Sequence, residues 1–109
     1  MKNFLFIGGD KRRQYAAEYI ANDGHSVTFA DDCPEFESLV DKADYIVLPL
    51  PTSRDSVRVN SPLSVAPVSL ARVVRAARKG QTVFAGMPDG NFAQQLRSKG
   101  ITLYDYYEN

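Results

Sequence analysis

Short apolar runs alternate with amphipathic stretches along this chain. Asn3 to Ile7 predicts a buried strand, and Ser26 to Ala30, Asp44 to Leu48, Thr82 to Ala85 and Ile101 to Tyr104 predict four more. Asp10 to Asn22 predicts a helix with Tyr15, Ala16, Tyr19 and Ile20 on one stripe, ended by Gly24. Pro34 to Val40 predicts a short helix with Phe36, Leu39 and Val40 inward and Pro34 in its first turn. Pro67 to Lys79 predicts a third, with Leu70, Val73, Val74 and Ala77 on its buried side. Arg75, Arg78 and Lys79 fall in its last turns, where cations suit the macrodipole. A fourth is capped by Asp89 or Asn91 and runs to Lys99, with Phe92 and Leu96 apolar. The order is β-α-β-α-β-α-β-α-β. Strands without polar alternation imply burial on both faces, hence a parallel sheet between helices.

Composition narrows the class. The chain has 109 residues, 44% hydrophobic and 24% charged, which fits one domain, residues 1–109, with a real core. One cysteine, Cys33, excludes a disulfide scaffold. Thirteen basic residues balance thirteen acidic ones, which argues against a general nucleic-acid or anionic-membrane binder. No apolar run approaches the ~20 residues of a membrane span, and the N-terminal apolar stretch is too short for a signal peptide. The expectation is a cytoplasmic protein with Cys33 reduced.

In an open parallel sheet, ligands bind beyond the carboxyl ends of the strands. Four segments fall there: Gly8 to Arg13, Asp31 to Cys33, Pro49 to Ala66 and Gly86 to Gly90. The first opens on Gly8-Gly9-Asp10 and then places Lys11, Arg12 and Arg13 at a helix start, where the macrodipole disfavours cations. An anion held between them offsets that cost; the plain alternative is that Asp10 caps the helix and the cations reach solvent. The third is long and rich in Pro and Ser. Thr52, Ser53, Asn60 and Ser61 are candidate donors to a carboxylate or phosphate, and Arg54 and Arg58 candidate partners. The alternative is a structured excursion over the sheet edge, with a small extended piece at Ser56 to Val59. In the fourth, Gly86 allows close backbone approach to a ligand, although a plain tight turn explains it equally.

Several chemistries fail on spacing. A dinucleotide fingerprint needs G-x-G-x-x-G, and only the adjacent pair Gly8-Gly9 occurs, although Asp31 follows at a suitable distance. One His and one Cys cannot make a structural zinc site. His25 falls at the amino end of the sheet, and there is no Gly-x-Ser-x-Gly elbow. The acidic pair Asp31-Asp32 follows the second predicted strand, not the first, which excludes a phosphoacceptor receiver.

Three segments taken in order resemble a known family: Ile7-Gly8-Gly9-Asp10-Lys11-Arg12; Leu48-Pro49-Leu50-Pro51 with Ser53, Asp55 and Asn60-Ser61-Pro62; and Val83-Phe84-Ala85-Gly86. Over essentially the whole chain they resemble the N-terminal domain of the dipicolinate synthase A subunit. Tyr104-Asp105-Tyr106-Tyr107 falls where that family passes to its next domain. The resemblance implies a flavodoxin-like (Rossmann-like) three-layer α/β sandwich, with strand order 2-1-3-4-5. It implies part of an oxidoreductase of spore-forming bacteria, making dipicolinate from a dihydrodipicolinate-derived dicarboxylate. It implies NADP in a following C-terminal domain and none in this chain. It also implies a flavoprotein-like partner, the dipicolinate synthase B subunit. Alone, such a chain is expected to be inactive, and a homo-oligomer is left open. Gly8, Gly9, Asp10 and Arg12 match the Gly-Gly-Asp-x-Arg motif; Pro49, Pro51, Ser53, Asp55, Asn60 and Ser61 match the Pro-rich loop and its exit; Gly86 matches the end of the fourth strand. Arg13 departs from the pattern, which goes directly from Arg to Gln. Within this resemblance, Arg12 at the helix start, alone or with Lys11 or Arg13, is expected to hold one carboxylate, and Ser53, Asn60 and Ser61 the other or the ring substituent, with Asp10 and Asp55 orienting arginines. Two rivals stand beside it: a small-molecule-binding or subunit-docking module, and a mononucleotide-binding domain using the Gly8-Gly9 turn.

Overall fold

Five strands form one parallel sheet in the order β2-β1-β3-β4-β5. The computed structural model describes residues 1–64 and 66–107. The strands are β1 (Asn3–Ile7), β2 (Ser26–Ala30), β3 (Tyr45–Val47), β4 (Thr82–Ala85) and β5 (Thr102–Asp105). The helices between them are α1 (Arg12–Asn22), α2 (Phe36–Lys42), α3 (Leu70–Ala76) and α4 (Gly90–Ser98). Phe6 faces Phe29 on one side of β1 and Val47 on the other, which fixes the register.

Side-chain alternation divides the sheet into two unequal faces. Leu5, Ile7, Ile46, Val83, Ala85 and Leu103 point to the side of α2, α3 and α4, where Phe36, Val40, Val73 and Leu96 complete the core. Right-handed crossovers require that placement, because β2→β3→β4→β5 all step the same way across the sheet. The β1→β2 step runs the opposite way and sends α1 to the other face. Among the described residues, α1 is the one helix on that side. There Phe4, Tyr45, Phe84 and Tyr104 form a row of ring contacts across four strands. Both faces carry apolar side chains as the strand pattern predicts, but helices cover them unevenly, and Tyr104 is 56% exposed.

Element details differ from the sequence pattern, and α1 itself starts at Arg12 rather than Asp10. Tyr15 and Tyr19 are not on the buried stripe of α1 but 76% and 79% exposed; Ala17 is the buried residue. Small Ala17 lets the helix approach the sheet, and the larger apolar residues marked the wrong side. α3 is shorter than Pro67 to Lys79. Ser69 caps it, accepting from the Arg72 backbone N–H, because the preceding residues are drawn into extended pairing with residues 57–59. Its far end stops at Ala76, where the Lys99 ammonium donates to the Val74 and Ala77 carbonyls. α2 starts at Phe36, leaving Pro34 outside its first turn, and continues past Val40 to Lys42, since its last residues face solvent and leave no apolar mark.

Polar pins set how the covering helices sit. Arg72 on α3 donates to both Glu37 carboxylate oxygens, to Asp32 and to the Cys33 carbonyl, with its guanidinium 4.9 Å over the Phe36 ring. Arg72 holds the Glu37 carboxyl down to about 2. Gln81 is buried, and its amide donates to the Val40 and Ala43 carbonyls while its oxygen accepts from the Arg78 N–H.

Candidate functional site

The carboxyl ends of β1, β3 and β4 converge on a trough of about 460 Å³ on the α1 side of the sheet. Gly8, Gly9, Asp10, Arg12, Pro49 and Asn60 line its polar end. Its floor is apolar, from Phe4, Phe6, Val47 and Phe84, and Tyr106 lines it beside Arg12, close enough for the two to interact electrostatically. Pro51, Ser53, Asp55, Ser61 and Gly86 lie behind the loops that form the rim rather than on the trough surface.

Packing explains Gly8, and a φ of +89° explains Gly9. Gly8 has φ +70°, and a Cβ there would stand 2.6 Å from Ser61 Oγ and from Val59 Cγ1. The Gly9 N–H donates to the Asn60 carbonyl at 2.8 Å. The turn after β1 is therefore welded to the exit of the long loop, and only glycine permits that approach.

The cations at the start of α1 have different tasks. Arg13 lies 4.8 Å from the Phe29 ring centroid and donates to the Gly8 carbonyl at 2.7 Å, which ties α1 to the sheet. Arg12 donates from Nε to both Asp10 oxygens at 3.0 Å, and its backbone N–H donates to Asp10 Oδ1 at 2.9 Å. Arg12 holds the Asp10 carboxyl below the usual carboxylate range, first through the side-chain bond and then through the backbone one. Arg12 still has 74% of its side chain exposed. Asp10 thus takes the Nε and Nη2 edge of the guanidinium and fixes its direction on the rim of the trough.

The long loop spends its polar atoms on itself. Ser53 Oγ donates to the Arg58 carbonyl, and Asp55 Oδ1 accepts from the Val57 and Arg58 N–H groups at 2.9 and 2.8 Å. Those two backbone bonds hold the Asp55 carboxyl well below its usual range. Asn60 Nδ2 donates to the Pro51 carbonyl while its Oδ1 accepts from Arg54; Ser61 is buried and donates to the Val59 carbonyl. The Leu50–Pro51 peptide is cis. Thr52 is fully buried and bonds to the Gly86 carbonyl through both N–H and Oγ1.

Tyr106 is the feature that sequence reasoning did not assign. Its N–H donates to the Ala85 carbonyl at 3.0 Å and its hydroxyl to the Leu48 carbonyl at 2.8 Å, so the chain after β5 folds back over β4 and β3. Partial burial pushes its phenol up. The one signal was the unusual run Tyr104-Asp105-Tyr106-Tyr107; Glu108 and Asn109 lie outside the described residues.

Gly8 packs against Ser61 and Val59, and the Asp10 carboxylate accepts from the Arg12 backbone N–H at the start of α1. Among the described residues no group of three His, Cys, Asp or Glu side chains gathers to hold a metal, and no helix is long and apolar enough to cross a membrane.

This is a doubly wound α/β domain with an arginine-bearing rim at the carboxyl ends of its strands. The chain belongs to the family of the N-terminal domain of the dipicolinate synthase A subunit, whose pattern matches residues 3–107. The crystal structure of the dipicolinate synthase A subunit from Bacillus halodurans is similar, with TM-score 0.72 at 16% identity, over 99% of this chain and 41% of that one. The dipicolinate synthase A chain from Bacillus subtilis is similar with TM-score 0.75 at 14% identity, over the same shares. The chain thus spans well under half the length of either solved protein. No curated protein sequence matches it.

Proposed function

We propose that this domain forms the substrate-side surface of a dipicolinate synthase A subunit, holding one carboxylate of a dihydrodipicolinate-derived dicarboxylate on Arg12. The observation that carries the reading is the Asp10–Arg12 pair, which aims an exposed guanidinium at the mouth of the trough. A planar guanidinium recognises a carboxylate through paired N–H bonds, and one already oriented loses less freedom on binding. Asn60 lies on the same rim; Ser53, Asp55 and Ser61 support it by shaping the loop. In the same reading, hydride transfer belongs to NADP held by a C-terminal domain of the longer enzyme, which works beside the B subunit in the cytoplasm of a sporulating cell. The chain's own contribution is to bind and orient the substrate, and it has no activity alone.

Calorimetric titration of the chain with dipicolinate and, separately, with NADP tests this. Dipicolinate binding that weakens at least about tenfold in Arg12→Ala, with an unchanged melting temperature, is the expected result. Dipicolinate binding indifferent to Arg12, or absent, overturns it. NADP binding by this chain alone moves the site to the glycine turn instead.

A further inference from the structure

We propose that Tyr106 makes the trough selective for a planar ring: it is the side chain against which the ring of a carboxylate ligand packs while Arg12 holds the carboxylate. The inference rests on the carboxylate role proposed for Arg12 and adds what the rest of the ligand must be.

Four aromatic side chains line the trough, Phe4, Phe6, Phe84 and Tyr106, and they are not equally available. Phe4 and Phe84 are joined through Tyr45, with ring centroids 4.8 and 5.8 Å apart, and Phe84 also stacks on Tyr104 at 5.6 Å. Phe6 meets Phe29 at 5.7 Å. Tyr106 is half-exposed, and among the described residues it meets no other ring. Its place is fixed from both ends. The backbone N–H donates to the Ala85 carbonyl at 3.0 Å and the hydroxyl to the Leu48 carbonyl at 2.8 Å. Asp105 Oδ1 accepts from the Met87 and Tyr107 N–H groups at 3.1 and 3.0 Å, which holds the turn on either side. A ring pinned in this way loses little freedom when another ring packs on it.

The hydroxyl bond also gives the ligand a direction. A phenol has one proton to donate, and that of Tyr106 goes to Leu48. Its oxygen can offer a ligand only lone pairs, which repel a carboxylate. Arg12, lining the same trough within electrostatic reach of Tyr106, attracts one. The carboxylate therefore goes to Arg12, and the ring to Tyr106 and the apolar floor.

Calorimetric titration of the chain with dipicolinate and with glutarate is the test. Glutarate is an open-chain diacid with the same number of atoms between its carboxyl groups. The wild-type chain is expected to prefer dipicolinate. Tyr106→Leu reduces that preference about fivefold by weakening dipicolinate alone, whereas Tyr106→Phe keeps it and Arg12→Ala weakens both acids together. In the wild-type chain, the Tyr106 ring proton resonances shift on adding dipicolinate and stay in place on adding glutarate, a readout that needs no variant to fold. A preference unchanged in Tyr106→Leu, or no shift of those resonances, overturns the proposal and leaves the Arg12 reading intact. A preference lost equally in Tyr106→Phe overturns it by assigning selectivity to the hydroxyl. Ring selectivity through Tyr106 with binding indifferent to Arg12 upholds the ring contact and overturns the carboxylate reading. Absence of dipicolinate binding overturns both.

Discussion

Gly86 and Leu50 meet so closely that a Cβ built on Gly86 would stand 2.6 Å from the Leu50 Cβ and 2.9 Å from its Cα. These atoms belong to the root of the side chain and to the backbone, which cannot swing aside as a flexible tip can. The contact clamps the end of β4 to the start of the long loop, beside the bond between Thr52 N–H and the Gly86 carbonyl. Gly86→Ala is therefore expected to cost about 1–3 kcal/mol by overpacking. A fall of the melting midpoint of roughly 4–8 °C per kcal/mol follows for a domain of this size. Equilibrium urea unfolding with an unchanged slope checks it.

Neighbouring arginines on α1 separate stability from binding. Arg13→Ala removes a stacked cation and the donor to the Gly8 carbonyl. The expected loss is about 1–2 kcal/mol, read from the urea midpoint. Arg12→Ala, in contrast, breaks only an exposed pair with Asp10 and should leave that midpoint where it is. Equal losses from the two would mean that Arg12 is structural.

Acid should loosen the contact between α2 and α3. Glu37 has an ordinary value of 4.5, and the fold lowers it to about 2 through the side-chain bond from Arg72. A depressed carboxyl stabilises the fold fully above its unfolded value and ceases to as pH falls through its folded value. Stability is thus expected to fall between pH 4.5 and about 2. Glu37→Gln should flatten that part of the curve of urea midpoint against pH, while Arg72→Ala should flatten it and lower it at neutral pH.

Gln81 offers a sharper case of buried polarity. Its side chain serves two carbonyls of the α2–β3 turn and the Arg78 N–H from a fully enclosed position. Gln81→Leu keeps most of the volume but leaves those groups unmatched. A loss of about 1–3 kcal/mol is expected, together with faster amide exchange at Arg78.

The strands were legible because a parallel sheet writes itself as apolar runs separated by helices; their spatial order came with the family resemblance. The turn after β1 was legible as a place, since Gly8-Gly9 at a strand end has few other uses. What was not legible was how the loop spends its hydroxyls and carboxylates. Ser53, Asp55 and Ser61 have the chemistry of ligand donors, yet their partners are backbone groups within a few residues, a choice set by the local path of the chain. The outward face of α1 was misread for a related reason. Tyr15 and Tyr19 satisfy a helical period, and periodicity does not say which side of a helix the sheet will take when the buried side is as small as Ala17. Arg72, Lys99 and Gln81 join elements far apart in sequence, so no short pattern marks them.

The loop from Pro51 to Ser61 has one more consequence. Ser53, Asp55, Asn60 and Ser61 already bond within the loop, Thr52 bonds to the Gly86 carbonyl, and Gly8 and Gly86 bolt the two ends of the loop to the sheet. A segment wired in this way behaves as masonry rather than as a hinged door. It gains nothing by folding over a guest and loses several bonds by trying. Any closing of the trough around a small molecule then has to come from outside this loop, with the rim as the fixed jaw.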